Sequence, residues 1–449
     1  MAAKRPPRSR GTPSSSSSSA VPSREVILDV ERLVPGGQGL CRTDDGVVFV
    51  DGVAAGERVL VRLQGRQGGA ARGDVLQVLT ASPDRIALDC AVGASCGGCD
   101  WLHLSPAARS TWKWRLAEDA LRRVGRFAET DVARVLRPLV TIDDDTGLLA
   151  GRRRLRVTIG ADGRGTFSAA RSHARVPVSD CGALHPRLRQ ALAALPSASL
   201  PERTEVRLGV DDRGHVVAAV SMTTAARKLV DAGVVVGAVV FRTDGSEPGS
   251  VDADVVGDPV LLGEVSAGRF PLARSDAATF AQATRGGGRA IIDAVLAGVD
   301  DVIDGAVVLE LFCGAGHLTL PLAARASSVL AVEGDGRALR HLEANRSLVT
   351  GSITPHMSYI DADVGVPADV TVVVADPPRT GLVDGAALLA KLASSQTLRR
   401  LVMVSCDPAT GARDLRAAVD AGFTLESVTP IDAFPRTHHL EWVAKLSRG

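Results

Sequence analysis

The stretch VMVSCDPAT, Val402 to Thr410, carries one thiol, Cys406, behind an apolar run and ahead of Asp-Pro. Such a run reads as a strand that ends in a turn, and open α/β sheets bind their ligands beyond the carboxyl ends of their strands. Cys406 is therefore either a small residue packed at a strand end or a thiol presented to a crevice. In the second case its thiolate can add to an electron-poor carbon. Further along, DAFPRTHHLEWV holds Glu441 in an apolar terminal segment, with Pro435 fixing the chain before it. A lone glutamate is ordinarily a solvated residue, but one returned to a sheet can act on a proton.

Other strand ends carry groups of the same kind. LELFCGAGHLTLPLA places Gly314 and Gly316 where a tight turn opens a helix, whose first amides point into the crevice. The third glycine of the dinucleotide pattern is missing, and so is the lysine of a phosphate loop, so pyrophosphate is not the expected ligand. LAVEGD puts Glu333 17 residues after Gly316, at the end of the next strand, where a carboxylate can accept from a ribose diol. IDADV offers Asp363 near the end of a third strand, and VVVADPPRTG puts Asp376 at the end of a fourth. Acids or glycines at four successive strand ends resemble the class I S-adenosylmethionine-dependent methyltransferase fold; the alternative is a sheet whose acids merely cap helices.

The acceptor is narrowed by DPPR. Amino-group methyltransferases of this fold usually follow Pro-Pro with an aromatic residue, whereas Arg379 stands here. RNA cytosine-5 enzymes usually carry Pro-Cys at that point, and this chain carries its thiol one strand later. Carbon 5 of a pyrimidine is a poor nucleophile. Addition of a thiolate to carbon 6 makes it enolate-like, and a base must later remove the C5 proton so that the thiol can leave. Phe280 to Gln282 as F-x-Q, ELFCGAGHLTLPLA, DPPRTGL, VSCDPATGARDL and FPRTHHLE together resemble the RNA uracil-5 methyltransferase family over essentially the whole chain after the N-terminal tail. The resemblance implies Cys406 as nucleophile and Glu441 as base. It implies that Asp376 and Arg379 hold the uracil, and that Gln282, Phe312, Gly314, Glu333, Asp363 and Asp376 line the site of S-adenosyl-L-methionine. Family members often have Asn where Thr284 stands here, and His439, not His438 or Arg436, matches a family position. The rival readings are an inactive RNA-binding protein of the same fold, an RNA cytosine-5 methyltransferase, and an enzyme acting on a small molecule.

CAVGASCGGCDWLH sets Cys90, Cys96 and Cys99 at C-x5-C-x2-C, and VPVSDCGALHP adds a distant Cys181. Structural zinc usually takes two short knuckles. A three-plus-one set suits a [4Fe-4S] cluster held by four thiolates, with zinc or no metal as the alternatives. The resemblance implies the cluster, in a structural role. Cys41 and Cys313 read as small buried residues.

These groups need elements to hold them. The 449 residues are enough for about three domains of ~150 residues. Between 24 and 82, short apolar runs (EVILDVERL, GVVFVDGV, ERVLVRLQG, GDVLQVLTAS) separated by Pro35-Gly36-Gly37, Asp45-Gly46 and Gly68-Gly69 predict a small β-barrel. By resemblance it is a TRAM, OB-like RNA-binding domain of the kind that ribosomal RNA enzymes of the family carry, so ribosomal RNA is favoured over transfer RNA as partner. Residues 83 to 269 are expected to form a central α+β domain with the cysteines. In it, an amphipathic helix from Pro106 to about Arg126 presents Trp112, Leu116, Ala120 and Leu121 and can pack on the catalytic domain. Acidic, turn-rich stretches at Asp143–Asp145 and TDGSEPGSVDADVVGD read as solvated loops. From 270 to 449, alternating strands and helices predict a Rossmann-like, doubly wound, mainly parallel α/β sheet.

Five of the 52 basic residues are lysines, and arginine suits bidentate phosphate contacts better. A net charge of +1 predicts no strong overall field, and the arginine excess is equally a bias of composition. Residues 1 to 23, basic and serine-rich without an apolar core, read as a disordered tail and not a secretory signal. No apolar run reaches the ~18 residues of a membrane span. The chain is expected in the cytoplasm, with no membrane and no obligate protein partner.

Overall fold

The computed structural model describes residues 24–67, 69–142, 148, 150–241, 255–263 and 273–448. The tail, the Asp143–Asp145 stretch and most of the TDGSEPGSVDADVVGD stretch lie outside them, as does the boundary expected near 270. The chain divides into two compact units, one of residues 1–32 and 38–82, the other of 33–37 and 83–449.

In the first unit, strands Glu25–Leu33, Gly39–Thr43, Gly46–Val50, Arg58–Gln67 and Ala70–Thr80 close into a barrel. Alternation drives it: Leu28, Val30, Val48, Val50, Val59 and Val61 point inward around Cys41, and the intervening residues face out. The Gly39–Thr43 strand is not among the runs the sequence suggested, because it is short and directly follows a glycine turn.

The second unit holds two large sheets. A seven-stranded sheet runs in the order Val255–Gly257, Gly237–Val240, Val216–Val220, Glu205–Val210, Arg154–Ile159, Gly165–Ser168, Arg175–Pro177. Its pairs are antiparallel except for Val216–Val220 with Gly237–Val240. The edge strand Val255–Gly257 falls within a stretch read as loop. Helices Pro186–Ala194 and Thr223–Asp231 cover the sheet with Leu188, Leu192, Ala226 and Leu229.

The eight-stranded sheet runs in the order Ser352–Met357, Ser328–Glu333, Val307–Leu311, Val372–Ala375, Arg400–Ser405, Glu441–Arg448, Phe423–Asp432, Val140–Thr141. Strand order reverses between Val307–Leu311 and Val372–Ala375, so the crevice opens at their carboxyl ends. Glu441–Arg448 alone runs against its neighbours. Its first residue therefore lies at the edge where the parallel strands end, and Trp442 pairs with Ser405.

Helices cover both faces. On one, Ile291, Ile292 and Val295 of helix Arg285–Val299 meet Val308, Val374 and Val404. On the other, helices Gly385–Ser394 and Pro408–Asp420 pack with Ala117, Ala120 and Leu121 of helix Pro106–Arg123. Ser105 caps that helix by accepting from the Ala108 amide at 3.2 Å, with Pro106 in its first turn. It ends at Arg123, three residues earlier than expected. Among the described residues no helix is long and apolar enough to cross a membrane.

Candidate active site

The site is built at the switch point of the eight-stranded sheet. After Leu311 the backbone enters the left-handed region three times, at Phe312 (φ 64°), Gly314 (φ 54°) and Gly316 (φ 99°). Phenylalanine is costly there, so the surroundings must hold it; its ring packs against the core on the Pro408–Asp420 side of the sheet. Gly316 is required twice over, since a β-carbon would also stand 2.7 Å from Leu342 Cδ1. Glu333 ties the turn to the next strand. Its carboxylate accepts from the amides of Gly314 (3.0 Å), Gly334 (2.8 Å) and Asp335 (2.9 Å). Asn345 adds a bond from Nδ2 to Ala315 O at 3.2 Å.

Behind the turn sits Glu310, 1% exposed, with Oε2 lacking a hydrogen-bond partner. Burial pushes its carboxyl up to about 8, with Thr319 opposing and the neighbouring acids Asp376 and Glu333 adding to the rise. His317 is displaced the other way, down to about 4 by burial, while its Nε2 lies 3.3 Å from Gly288 O. Gln282 packs at the same place, its Cβ beside Gly288. Thr284 caps helix Arg285–Val299, accepting from the Gly287 amide (3.1 Å) and donating to Ala433 O (3.3 Å), so the family's Asn is replaced by a residue with a capping task. The loop leading to Gln282 is fixed by Asp276. Its carboxylate accepts from the Ala278 and Thr279 amides and meets His341 Nε2 (3.1 Å) and Arg337 (3.2 Å). Burial pushes that carboxyl up, but the bonds to His341 and the backbone and the nearby cations hold it well below the usual range.

On the other side of the switch point, Asp376 follows Val372–Ala375 and Cys406 follows Arg400–Ser405, while Glu441 opens the antiparallel strand beyond Arg400–Ser405. The three feel one another. Burial raises the Cys406 thiol to about 11; Glu441 and Asp376 raise it further and Arg379 opposes them. Burial raises Glu441 to about 8, with Asp376 adding and Arg379 again opposing. Burial raises Asp376 to about 7.

The two loops are stapled to helix Pro408–Asp420. Asp407 caps it, accepting from the Thr410 amide at 2.9 Å, and Thr410 Oγ1 donates to Arg379 O at 3.0 Å. Arg413 donates to Thr380 O, and the Leu382 amide donates to Asp414 (both 3.0 Å). Gly381 (φ 76°) lies so close to Arg413 and Asp414 that no side chain fits. The arrangement offers a thiol, a guanidinium and two protonatable carboxyls in one crevice. Asp376 acts on Glu310, so this group adjoins the glycine turn.

No family model matches the chain. It is 32% identical to an uncharacterized RNA methyltransferase of Corynebacterium efficiens, over 94% of each chain. It is 30% identical to the 23S rRNA (uracil(1939)-C(5))-methyltransferase RlmD of Vibrio cholerae, over 95% of this chain and 96% of that one. The chain belongs to the RNA uracil-5 methyltransferase family. Among solved structures, the tRNA (uracil-54, C5)-methyltransferase of Pyrococcus abyssi, in complex with S-adenosyl-L-homocysteine, has the same fold. It superposes with a TM-score of 0.69 at 19% identity, over 93% of this chain and 99% of that one.

Against these family expectations, Cys406, Asp376, Arg379 and Glu441 come together, and Phe312, Gly314 and Glu333 share the turn. Asp363 stands apart. The third strand ends at Met357, and Asp363 is exposed in a later turn, its amide donating to Asp361 at 2.8 Å. Cys90, Cys96, Cys99 and Cys181 are half-buried free thiols. They lie close enough to influence one another: burial raises Cys99 to about 11, with Cys181 and Cys96 adding, and burial raises Cys181, with Cys90 and Cys96 adding. Among the described residues, however, no three His, Cys, Asp or Glu side chains are arranged to hold a metal ion. Cys41 and Cys313 are buried as expected. Sequence reasoning missed Glu310 and Asp276. Glu310 had a signal, one acid inside the apolar run AVVLELF; Asp276 had none.

Proposed function

We propose that the protein methylates carbon 5 of uracil in RNA, with S-adenosyl-L-methionine as donor. One observation carries this reading: Cys406, Asp376, Arg379 and Glu441 converge at the strand ends beside the glycine turn. The Glu333 carboxylate gives that turn a negative character that suits a sulfonium ligand, and the amides after Gly314 suit its polar groups.

The bound cofactor supplies an electrophilic methyl group. Cys406 gives its proton to solvent, its sulfur bonds to C6, and the C5–C6 π bond breaks to leave its electron pair at C5. Arg379 and Asp376 hold the polar edge of the base, and Arg379 also opposes the rise of the Cys406 thiol. After the methyl has bonded to C5, Glu441 takes the C5 proton, the C5–C6 double bond re-forms and the Cys406 sulfur leaves. Glu441 must be ionised to do so, and its rise to about 8 puts that ionisation near the working range.

Phe312, Gly314, Glu333 and Gln282 line the donor site in this reading, while Asp363 stands in an exposed turn after the third strand. Ribosomal RNA is the favoured substrate, supported by the name of the Vibrio cholerae relative and by the five-stranded barrel, read as a TRAM-like RNA-binding domain. The four grouped thiols are of the right kind and number for a [4Fe-4S] cluster, though not drawn into ligating geometry; no step of the reaction passes through it. Anaerobic purification followed by iron and sulfide analysis tests it, four iron atoms per chain being the expected result.

The function is tested by incubating the protein and cofactor with unmodified ribosomal RNA or transfer RNA and analysing the nucleosides by mass spectrometry. New 5-methyluridine in the ribosomal sample supports the reading. 5-Methyluridine in transfer RNA alone corrects the substrate, and 5-methylcytidine overturns the chemistry.

A further inference from the structure

The connection 433–440 carries the chain from strand Phe423–Asp432 to Glu441, and besides Thr284 and Arg152 it is held from the cysteine-bearing segment and the helix after it. Lys113 Nζ, fully buried, pairs with the Asp432 carboxylate and donates to Phe434 O at 2.7 Å. Arg109 donates to Pro435 O at 2.9 Å, and the Trp101 amide donates to Arg436 O at 3.2 Å. Arg436 in turn reaches Asp89 at 3.2 Å. The densest contact is Asp100, the residue after Cys99. One of its carboxylate oxygens accepts from the His438 amide at 3.0 Å, and the other bonds His438 Nδ1. The His438 ring lies 4.2 Å from that of His439, which Arg379 also influences. A line of contacts thus runs from the cysteine loop through Asp100 and His438 to His439 and the strand that begins at Glu441.

We propose that Asp100 is a positioning residue for Glu441, acting through His438 and making the cysteine loop a part that sets the geometry of proton removal. The proposal rests on Glu441 being the base. Two carboxylate oxygens on one residue fix both the backbone and the ring at position 438, so the connection cannot rotate about it. Thiol attack needs only Cys406 and the bound base, on a different strand. Loss of the Asp100–His438 pair therefore slows the last step and spares the first.

The test uses the full-length protein as purified, with unsubstituted RNA and cofactor in single-turnover mixing, quenched and run on denaturing gels. Asp100→Asn and His438→Ala should each form the Cys406 adduct at the wild-type rate and release it about tenfold to a hundredfold more slowly, the scale of a small misplacement of a reacting group. KM for RNA, melting temperature and iron content should stay at wild-type values, and the double variant should be no slower than either single, because the two residues act as one pair. Equal losses in adduct formation and release, additive effects in the double variant, or unchanged release would each overturn the proposal. A wild type that forms no adduct, or a Glu441→Gln variant that does not accumulate one, overturns the reading of the base instead, and the proposal with it.

Discussion

In the seven-stranded sheet Arg153 pairs with Asp212 and donates to Val210 O at 3.2 Å, Arg154 donates to Asp276 O at 2.6 Å, and Asp211 accepts from the Arg213 side chain at 2.7 Å and from three amides. At the strand ends of the eight-stranded sheet Glu310, Asp376 and Glu441 are instead all raised by burial, and Glu310 keeps an oxygen without a partner. The difference teaches where to look for chemistry. A charge buried for architecture is matched on the spot, because an unmatched one destabilises the fold. A carboxyl left unmatched is pushed toward its neutral form by burial, and it persists where a substrate or a cofactor can supply the partner.

Breaking the unmatched side should therefore cost activity. Glu441→Gln removes the proposed proton acceptor and should lower kcat by ~10²- to 10⁴-fold, with RNA binding retained; a steady-state assay with tritiated methyl donor measures both.

Arg379→Ala should act on the pH profile. Arg379 opposes the rise of both Cys406 and Glu441, so its removal lifts both ionisations further. Each group must lose a proton to act, so the rate rises with pH in the wild type. The rising limb should move to higher pH in the variant, and a limb that stays in place would remove Arg379 from the site's electrostatics.

Glu310→Gln should act on stability instead. The folded-state value of about 8 lies above the ordinary value of 4.5, so the native state holds a proton that the unfolded chain has lost between those two pH values. Stability then falls as pH rises through that window, by on the order of 5 kcal/mol in all. The glutamine variant should lose this dependence and melt higher than wild type at pH 9, as calorimetry across pH would measure. The matched side gives the smallest effect: Arg156→Ala breaks an exposed pair with Glu205 and should cost at most ~1 kcal/mol with no change in the pH profile.

The contrast between the sheets also says what the sequence could and could not disclose. Cys406, Asp376 and Glu333 were legible because each stands at the junction of an apolar run and a turn, where residue type and place together imply exposure to a crevice. Glu441 was legible as a candidate, but its nearness to Cys406 depends on the last strand running against the others, which periodicity does not encode. Glu310 was hidden inside a strand pattern that reads as continuous core. Asp100 and His438 lie 338 positions apart, and neither stands out until the fold joins them. The strand Gly39–Thr43 and the edge strand Val255–Gly257 were lost for a simpler reason: three to five residues beside glycine carry too little alternation to read.

The central claim is that Cys406 bonds to carbon 6 of a uracil, and one trap tests it directly. RNA containing 5-fluorouridine cannot release fluorine as a proton is released, so the adduct should persist. The protein would be incubated with that RNA and S-adenosyl-L-methionine, digested, and the cross-linked peptide sequenced by mass spectrometry. A fluorinated, methylated uridine on the peptide containing Cys406, absent in Cys406→Ala, is the result expected. An adduct on another residue, or none in a preparation that binds both RNA and cofactor, would contradict it.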